Sequence, residues 1–317
     1  MFKNAILYRI ANQLASEDLA GINDGLAKTQ FLECGATQEK SVGWVPPRGE
    51  ANGPLVESVA GQWILRFFVE SKVIPGSVLA RKVKEKADRI EQETGRKPGK
   101  KESKELKDEA KLDLLPMAFT KQAATLVWID TASRLLAIDT GSQGSADEIV
   151  TLLVESLPGL SVSLINTQTS PQSAMREWLL SGLAQDDLQD LQNLVIGREC
   201  ELKANDETKA AVKYTRDRVT THLVEYELIT NGKLPTKLAL TWDDRVSFVL
   251  TEGGQIKKLS FLDTVFEGTK ADEGGFDADV ALATGELVKL IPDLILALGG
   301  EAESSAASET AAQQGAA

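Results

Sequence analysis

The strongest chemical feature of the sequence is a dense block of lysine and arginine between residues 81 and 113. The block holds twelve cationic and nine acidic side chains, so its net charge is +3 in a chain of net charge −12, and the remainder carries −15. Ammonium and guanidinium groups are the side chains that bind phosphate in proteins. Charge segregated in this way predicts contact with a polyanion such as nucleic acid. The alternative is an ordinary solvated surface, because most runs of mixed charge are no more than that.

Two helices joined by a turn are predicted to carry this block. The first begins near Ser77, whose hydroxyl could cap it, and ends at Gly95. The second begins near Lys101 and ends before Pro116. Each has an apolar side at helical spacing, formed by Val78 or Leu79, Val83, Ala87 and Ile90 in the first and by Leu106, Ala110 and Leu114 in the second. The turn, GRKPGKK at residues 95–101, has four cations and no acid, so we predict a helical hairpin with a cationic tip.

Side chains that could carry out catalysis are sparse. His222 is the only histidine, so a serine or cysteine nucleophile would have to use it, and no nucleophile motif accompanies it. Asp130 and Asp139 end neighbouring predicted strands, and Asp243-Asp244 lie in a predicted turn. Carboxylates at strand ends could bind Mg²⁺ for a nuclease, but aspartates that accept backbone N–H groups in turns are commoner. We therefore predict that the protein is not an enzyme and has no catalytic residue, metal site or cofactor.

Length and composition are typical of a protein with two or three packed modules: 317 residues, 42% hydrophobic and 26% charged. The N-terminal run MFKNAILYRI is too short for a secretory signal, and no segment is long and apolar enough to cross a membrane. Cys34 and Cys200 fit no metal or disulfide framework. We therefore expect a cytoplasmic protein without membrane contact, in which each cysteine is a small buried hydrophobe.

The remaining elements predict a β-sheet core from which the hairpin is an excursion. Strands are predicted at residues 2–10, 43–47, 62–74, 124–130 and 135–139, and a three-stranded meander at 237–242, 245–251 and 256–261. Helices are predicted at 16–31, with Ser16 as the N-cap, and at 146–156, 171–195 and 278–298. Two prolines end the strand at 43–47, which favours a position at a sheet edge. Residues 301–317 cannot bury a core and are expected to be disordered.

Six segments, taken together and in order, resemble the recombination-associated protein RdgC family. They are MFKNAILYRI at residues 1–10, GWVPP at 43–47, LLPMAF at 114–119, WIDT at 128–131, KLALTWDDRVSFVL at 237–250 and FDADVALATGEL at 276–287. The similarity extends to about Gly300, with a charged helical insertion in the same place, and it is poor between residues 183 and 235. The family consists of nucleoid-associated proteins of proteobacteria, which bind double-stranded DNA with little sequence preference and limit the activity of RecA recombinase.

The resemblance implies an α+β, crescent-shaped subunit and a ring-shaped homodimer. A central β-sheet region would comprise residues 1–76, 117–182 and 236–300, a basic helical tip residues 77–116 and a small α/β base residues 183–235, followed by the tail at 301–317. Two subunits that meet at both ends would enclose a positive hole for duplex DNA and leave the acidic side chains on the exterior. DNA inside the ring is unavailable to a RecA filament, so the implied mechanism is occlusion on the nucleoid.

Twelve cations and one aromatic residue are the predicted contact residues. We expect phosphates of double-stranded DNA to be bound by Lys72, Arg81, Lys82, Lys84, Arg96, Lys97, Lys100, Lys101, Lys104, Lys121, Lys203 and Lys213. Phe119 follows the hairpin and is expected to anchor a dimer interface, unless it is an ordinary core residue. Contacts of this kind neutralise phosphates without reading bases, so affinity should fall steeply with salt. The runner-up is an acidic dimeric scaffold whose basic hairpin docks on a protein and does not bind DNA.

Overall fold

Two antiparallel sheets form the frame of the protein, which the computed structural model describes over residues 2–12, 19–181, 193–204, 210–215, 223–266 and 275–302. The first sheet has seven strands: β1 (Ile6–Ile10), β2 (Lys40–Val45), β3 (Val56–Val59), β4 (Gln62–Val73), β5 (Phe119–Asp130), β6 (Leu135–Ile138) and β7 (Val162–Leu164). Their order is β2-β4-β5-β6-β1-β7, and β3 pairs with the beginning of β4. The two longest strands, β4 and β5, stay paired from Trp63–Ile129 to Val73–Phe119. This ribbon carries the hairpin.

The second sheet has five strands, in the order β12-β11-β10-β8-β9. They are β8 (Leu194–Ala204), β9 (Ala211–Thr215), β10 (Lys233–Trp242), β11 (Val246–Thr251) and β12 (Ile256–Phe261). Strands β10 to β12 form the predicted meander, and Asp243-Asp244 have φ of +49° and +48°, as in a type I′ hairpin turn. The backbone groups of Ala5 and Ile256 bond to each other at 2.8 and 2.9 Å, which joins the two sheets.

Helices cover both sheets and enclose two apolar cores. The long helix α8 (Phe276–Ala297) packs against both sheets together with α5 (Pro171–Ser181). The helices α1 (Leu19–Ala27) and α4 (Gln143–Ser156) cover the other face of the first sheet, around Trp44 and Trp63. Two short helices complete these layers, α6 (Leu223–Thr230) and α7 (Asp263–Phe266). In the described part of the chain, no helix combines the length and the apolar character needed to cross a membrane.

The predicted mixed architecture is confirmed, with two corrections to the elements. The strand at 43–47 does lie at a sheet edge, as part of β2. The helix predicted over 171–195 ends at Ser181, and β8 begins at Leu194. Ser77 does not cap the hairpin, because the extended backbone of Pro75 precedes the helix and Ser77 lies inside it. Ser16, the other predicted cap, lies outside the described residues.

Two predicted boundaries fall within folded segments. Glu301, expected at the start of a disordered tail, forms an ion pair with Arg9 at 2.7 Å, and the N–H of Ala302 donates to the carbonyl of Asn166 at 2.9 Å. The boundary expected between residues 235 and 236 lies inside β10. The second sheet therefore extends across both sides of that boundary, while the division into central region, tip and base stays a prediction.

The predicted hairpin consists of α2 (Gly76–Thr94) and α3 (Lys100–Leu114), inserted between β4 and β5. Gly95 ends α2 with φ of +70°, and its N–H donates to the carbonyl of Glu91 at 2.8 Å. Apolar packing between the two helices is thin: α2 has no fully buried residue, and α3 buries Leu106 and Ala110. The hairpin therefore needs polar contacts to keep its direction.

Lys86 supplies the main polar contact between the two helices. Its ammonium lies 3.1 Å from Glu109 and 2.9 Å from Asp113, and its side chain is 18% exposed. The hydrogen bond with Asp113, and then that with Glu109, raises the pKa of Lys86. A second ion pair, between Lys111 and Glu39, ties α3 to the segment before β2. These contacts fix the hairpin relative to the sheet.

Lys86→Gln is expected to loosen the hairpin without unfolding the body, because it removes the ion pairs and leaves the cores intact. Amide hydrogen exchange over residues 76–114 should become severalfold faster, while the thermal midpoint stays within about 2 °C of the wild type. Lys84→Gln is the matched control, since Lys84 is exposed on the same helix and makes no ion pair with a described residue. Equal exchange rates in Lys86→Gln and Lys84→Gln would contradict the assigned role.

A bidentate ion pair fixes α8 to the second sheet. Arg245 donates through Nε and Nη2 to the two carboxylate oxygens of Glu286, each at 2.7 Å, and Glu286 is 6% exposed. These bonds lower the pKa of Glu286. Nearby, the indole N–H of Trp242 donates to Asp293 at 2.8 Å. The turn between β10 and β11 is therefore held to the helix at two points.

Glu286→Gln is expected to lower the free energy of unfolding by about 1–3 kcal/mol at pH 7, because a buried charge-assisted pair is removed. The lowered pKa means that the carboxylate stabilises the fold above its ordinary pKa of 4.5, and this contribution disappears as the pH falls below that value. Urea unfolding at pH 7 and pH 3 should therefore give a smaller difference between wild type and variant at pH 3. Glu177→Gln, which removes an exposed carboxylate on α5, is the control. A difference independent of pH would exclude this role for the ion pair.

Candidate nucleic-acid interface

Arg96 closes the turn at the tip of the hairpin. Its Nη1 donates to Oε2 of Glu102 at 2.8 Å, and the N–H of Gly99 donates to the same oxygen at 3.3 Å. The hydrogen bond from Arg96 is the main cause of the lowered pKa of Glu102. Glu102 thus satisfies a backbone donor at the start of α3, as in a capping box. Arg96 was predicted as a free phosphate contact, but its guanidinium already has an anionic partner.

Six exposed cations of the hairpin form no ion pair with any described residue. They are Lys84, Arg89, Lys97, Lys100, Lys104 and Lys107. Arg89 and Lys107 were absent from the predicted contacts, although they belong to the same charged block. Three predicted contacts, Arg81, Lys82 and Lys101, lie 3.8 to 4.0 Å from glutamates on their own helix. Exposed pairs of this kind contribute little, so these cations can exchange a glutamate for a phosphate.

Two lysines at the start of α3 oppose the helix dipole. Lys100 and Lys101 occupy the first turn, where the partial charge of the helix is positive, and Lys101 is 93% exposed. Cations at this end of a helix reduce its stability, whereas an anion there is favoured. Their position is unfavourable for the isolated helix and suits an anionic ligand at the tip.

The two predicted contacts at the root of the hairpin differ. Lys72 donates from Nζ to the carbonyls of Ala36 and Leu115, at 2.8 and 3.1 Å, so it holds the root together. Lys121, on β5, is exposed and has no ion pair with a described residue. The ammonium group of Lys121 is therefore more available to a phosphate than that of Lys72.

A buried carboxylate braces the ribbon next to this root. Glu70 is 3% exposed and accepts hydrogen bonds from the N–H of Cys34 at 2.8 Å and from Nε2 of Gln122 at 2.6 Å. The bond from Gln122 is the largest cause of its lowered pKa. Cys34 is only partly buried, contrary to the prediction for both cysteines, whereas Cys200 is fully buried as predicted. Glu70 thereby joins the loop before β2 to both strands of the ribbon.

Phe119 is exposed, so the alternative prediction that it is an ordinary core residue is wrong. It is 86% exposed, and two neighbours at the root are also exposed, Met117 at 75% and Val73 at 46%. Val73 is the cross-strand partner of Phe119. Apolar side chains grouped in this way on a surface are typical of interaction sites. The predicted dimer contact of Phe119 stays a prediction.

The two predicted contacts on the second sheet are each paired with a glutamate. Lys203 lies 3.2 Å from Glu201, and Lys213 lies 3.4 Å from Glu199. Two further lysines, absent from the predicted contacts, share these partners. Lys237 is 2.8 Å from Glu201, and Lys258 is 2.6 Å from Glu199. These six side chains are called here the lysine–glutamate face.

Hydrogen bonds from several donors hold Glu201 in its charged form. Its pKa is lowered from 4.5 to about 2, mainly by the bond from Lys237, with smaller contributions from Thr236 and Lys203. Sequence alternation places Lys237 opposite the buried Leu238, but it does not reveal which strand lies beside it. The ion pair between Lys237 and Glu201 could therefore not be predicted, because it depends on the pairing of β8 with β10.

Two of the four carboxylates weighed as metal ligands, Asp130 and Asp139, accept hydrogen bonds from nearby groups. Asp130 accepts from the N–H of Ala132 at 3.1 Å and the hydroxyl of Ser133 at 2.6 Å. Asp139 accepts from the N–H groups of Lys3 and Asn4. Within the described ranges, no group of three or more histidine, cysteine or acidic side chains could hold a metal ion. His222 lies outside those ranges.

The two main surface cavities contain little that could do chemistry. They have volumes of about 220 and 340 Å³ and both border Ile295 of α8. Their walls are largely aliphatic, with Glu252 as the titratable side chain of the first and Arg9 as that of the second. Glu252 accepts from Gln172, and Arg9 is bound to Glu301. Ser170 also lines the first cavity, and its hydroxyl donates to that of Ser173 at 2.8 Å.

Comparison with known proteins identifies the family. A family model described as "Putative exonuclease, RdgC" matches residues 1–301. The chain is 42% identical over 309 residues to the recombination-associated protein RdgC of Dechloromonas aromatica, covering 95% of this chain and 98% of the relative. It is 40% identical over 308 residues to that of Janthinobacterium sp., covering 95% and 99%, and 37% identical over 306 residues to that of Bordetella pertussis, covering 95% and 98%. The chain therefore belongs to the recombination-associated protein RdgC family.

Proposed function

We propose that this protein binds double-stranded DNA without sequence preference and encloses it as a ring-shaped homodimer of crescent-shaped subunits. In this proposal the bound duplex is unavailable to RecA recombinase, so recombination is limited by occlusion on the nucleoid in the cytoplasm. The relatives are named for an association with recombination, which accords with DNA as the partner.

The observation that carries the proposal is the set of exposed hairpin cations without an acidic partner among the described residues. Six such cations lie on one hairpin of a chain whose net charge is −12. A solvated surface helix gains from ion pairs between neighbouring turns, and these six side chains make none with described residues. Phosphates would supply the missing anions without any reading of bases.

The acidic remainder of the chain supports an enclosing geometry. A flat, uniformly acidic body would repel DNA, whereas a body that turns its cations toward one space would attract the duplex there and repel it elsewhere. Lys121 on β5 and the four lysines of the lysine–glutamate face are the cations outside the hairpin that we assign to this space. Phe119 and its exposed neighbours would supply one of the two contacts between subunits.

The description of the family model names exonuclease activity as a second candidate. Cleavage of this kind needs a site for the metal that activates water. Incubation of linear duplex DNA with the protein and Mg²⁺, with and without EDTA, tests it directly. We expect intact DNA in both samples. Metal-dependent shortening would replace the binding proposal with a nuclease.

Removal of three unpaired tip cations is expected to weaken DNA binding and reduce its salt dependence. The variant combines Lys97→Gln, Lys100→Gln and Lys104→Gln and spares Arg96, whose removal would also disturb the start of α3. Fluorescence anisotropy with a labelled duplex should show a log–log salt slope that is shallower by about 0.9 for each phosphate that the variant no longer neutralises. The effect should be the same on unrelated sequences.

The matched control removes three exposed cations outside the hairpin that have no ion pair with a described residue: Lys28→Gln, Arg176→Gln and Lys289→Gln. It has the same net charge as the tip variant and should bind almost as the wild type does. Identical slopes for the two variants would move the DNA-binding site away from the tip. No binding by the wild type at low salt would exclude the DNA proposal and leave the protein-interaction scaffold.

Phe119→Ser is expected to raise the dissociation constant of the dimer about tenfold or more. Burial of a phenylalanine side chain contributes about 1.5–3 kcal/mol, and each 1.4 kcal/mol is a factor of ten. Sedimentation equilibrium measures the constant. Leu296→Ser, which removes another large side chain that is 57% exposed, is the control and should leave it unchanged. A monomeric wild type, or equal constants for both variants, would rule out Phe119 as an anchor.

A further inference from the structure

In the lysine–glutamate face, the glutamate side chains are more buried than the lysine side chains. The side chains of Glu201 and Glu199 are 13% and 22% exposed. The four lysines around them are 39% to 61% exposed: Lys237, Lys203, Lys213 and Lys258. Each glutamate thus binds two ammonium groups from different strands, and the cluster keeps a net charge of +2. An approaching ligand meets the lysines first.

The sheet is shaped so that distant strands reach the same acid. Lys258 on β12 and Glu199 on β8 are separated by β11 and β10 in the sheet order, yet their charged groups are 2.6 Å apart. β8 and β10 also approach closely, since a Cβ at Gly197 would come within 3.1 Å of the Cβ of Ala239. The sheet must curve toward this side for the ion pair to form.

Lys258 has an unfavourable backbone conformation at this ion pair. Its φ is +52°, a region that residues other than glycine rarely adopt, and the pairing of β11 with β12 shifts register beside it. Such strain persists where the surroundings enforce it, and it is commoner at functional sites than elsewhere. The ion pair of Lys258 with Glu199 is therefore formed from a strained backbone position.

We propose that Glu199 and Glu201 are, in the free protein, the acceptors of these four lysines, that DNA phosphates compete with them for the lysines from the exposed side, and that the glutamates thereby limit both affinity and salt dependence. A carboxylate and a phosphate offer the same kind of oxygen acceptors to an ammonium group. A phosphate that binds here must compete with the carboxylate, so the glutamates are positioning residues that hold the lysines ready and weaken their hold on DNA. This inference rests on the proposed DNA binding.

The exchange of a carboxylate for a phosphate on a lysine changes the number of cations released on DNA binding, and this number is measured by the salt dependence of affinity. A phosphate that binds a free lysine releases about 0.9 of a condensed cation. A phosphate that displaces a glutamate leaves that carboxylate to attract a cation of its own, which offsets the release. Replacement of each glutamate by glutamine removes this compensation. Binding should then become tighter at low salt and more sensitive to salt.

The test compares the full-length wild type with the double variant Glu199→Gln and Glu201→Gln by anisotropy with a labelled duplex from low to high salt. We expect affinity at low salt to rise about tenfold or more, and the log–log slope to become steeper by about 0.9 for each glutamate replaced in a subunit. The double variant Glu155→Gln and Glu177→Gln, which removes exposed acids of α4 and α5, controls for net charge. The single variant Glu201→Asp keeps the negative charge and should have the same log–log salt slope as the wild type.

The outcomes distinguish this inference from the DNA-binding proposal on which it rests. Failure of the wild type to bind duplex DNA at low salt would overturn the DNA proposal itself. Binding by the wild type, with the double variant at Glu199 and Glu201 no tighter than the charge control at Glu155 and Glu177, would overturn the exchange alone. If the double variant does not fold by circular dichroism, the single variant Glu199→Gln decides, because its carboxylate is the more exposed of the two. It should then show about half of the expected change in slope.

Discussion

The pairing of β4 with β5 is the interaction on which the rest of the structure depends. At one end, around Trp63 and Ile129, the two strands are central to the first sheet and lie in its core. At the other end, Val73 and Phe119 mark the point where the chain leaves for the hairpin and returns from it. A hairpin with so little apolar packing of its own could not keep a direction on a flexible linker. Continuous backbone hydrogen bonding carries rigidity from the core to the cationic tip.

Electrostatics and packing make opposite demands on this hairpin, and its residues divide between them. Lys86 and Arg96 are bound to acids and hold the helices and the turn in place. The hairpin cations that have no ion pair with a described residue remain available to a ligand. The lysine–glutamate face solves the same problem differently, since each of its lysines is both part of the sheet's ion-pair network and exposed. Repulsion among clustered cations is thereby reduced before any ligand binds.

Much of this arrangement could be predicted from the sequence, because its determinants are local. Glycine at position 95, apolar spacing and the alternation of the meander predict the hairpin helices and the last two meander strands to within a residue, whereas β10 begins four residues earlier than predicted. The partners of the charged groups could not be predicted, because they depend on contacts between distant segments. Lys258 meets Glu199 across 59 positions of sequence, and Arg96 meets a glutamate only once the turn has closed. Phe119 lies in the first half of β5, which is exposed, and sequence alternation alone does not indicate that this half lies outside the core.

The outer edge of β5 has a consequence of its own. β6 pairs with β5 only at residues 127–130, so among the described residues the edge from Phe119 to Thr125 has no neighbouring strand. An open edge is a template for any extended chain, and a charged side chain on it is a common protection against unwanted sheet growth. Lys121 lies in the middle of this edge. A charge at this position opposes the pairing of the open edge with a second chain, whether or not Lys121 also contacts a phosphate.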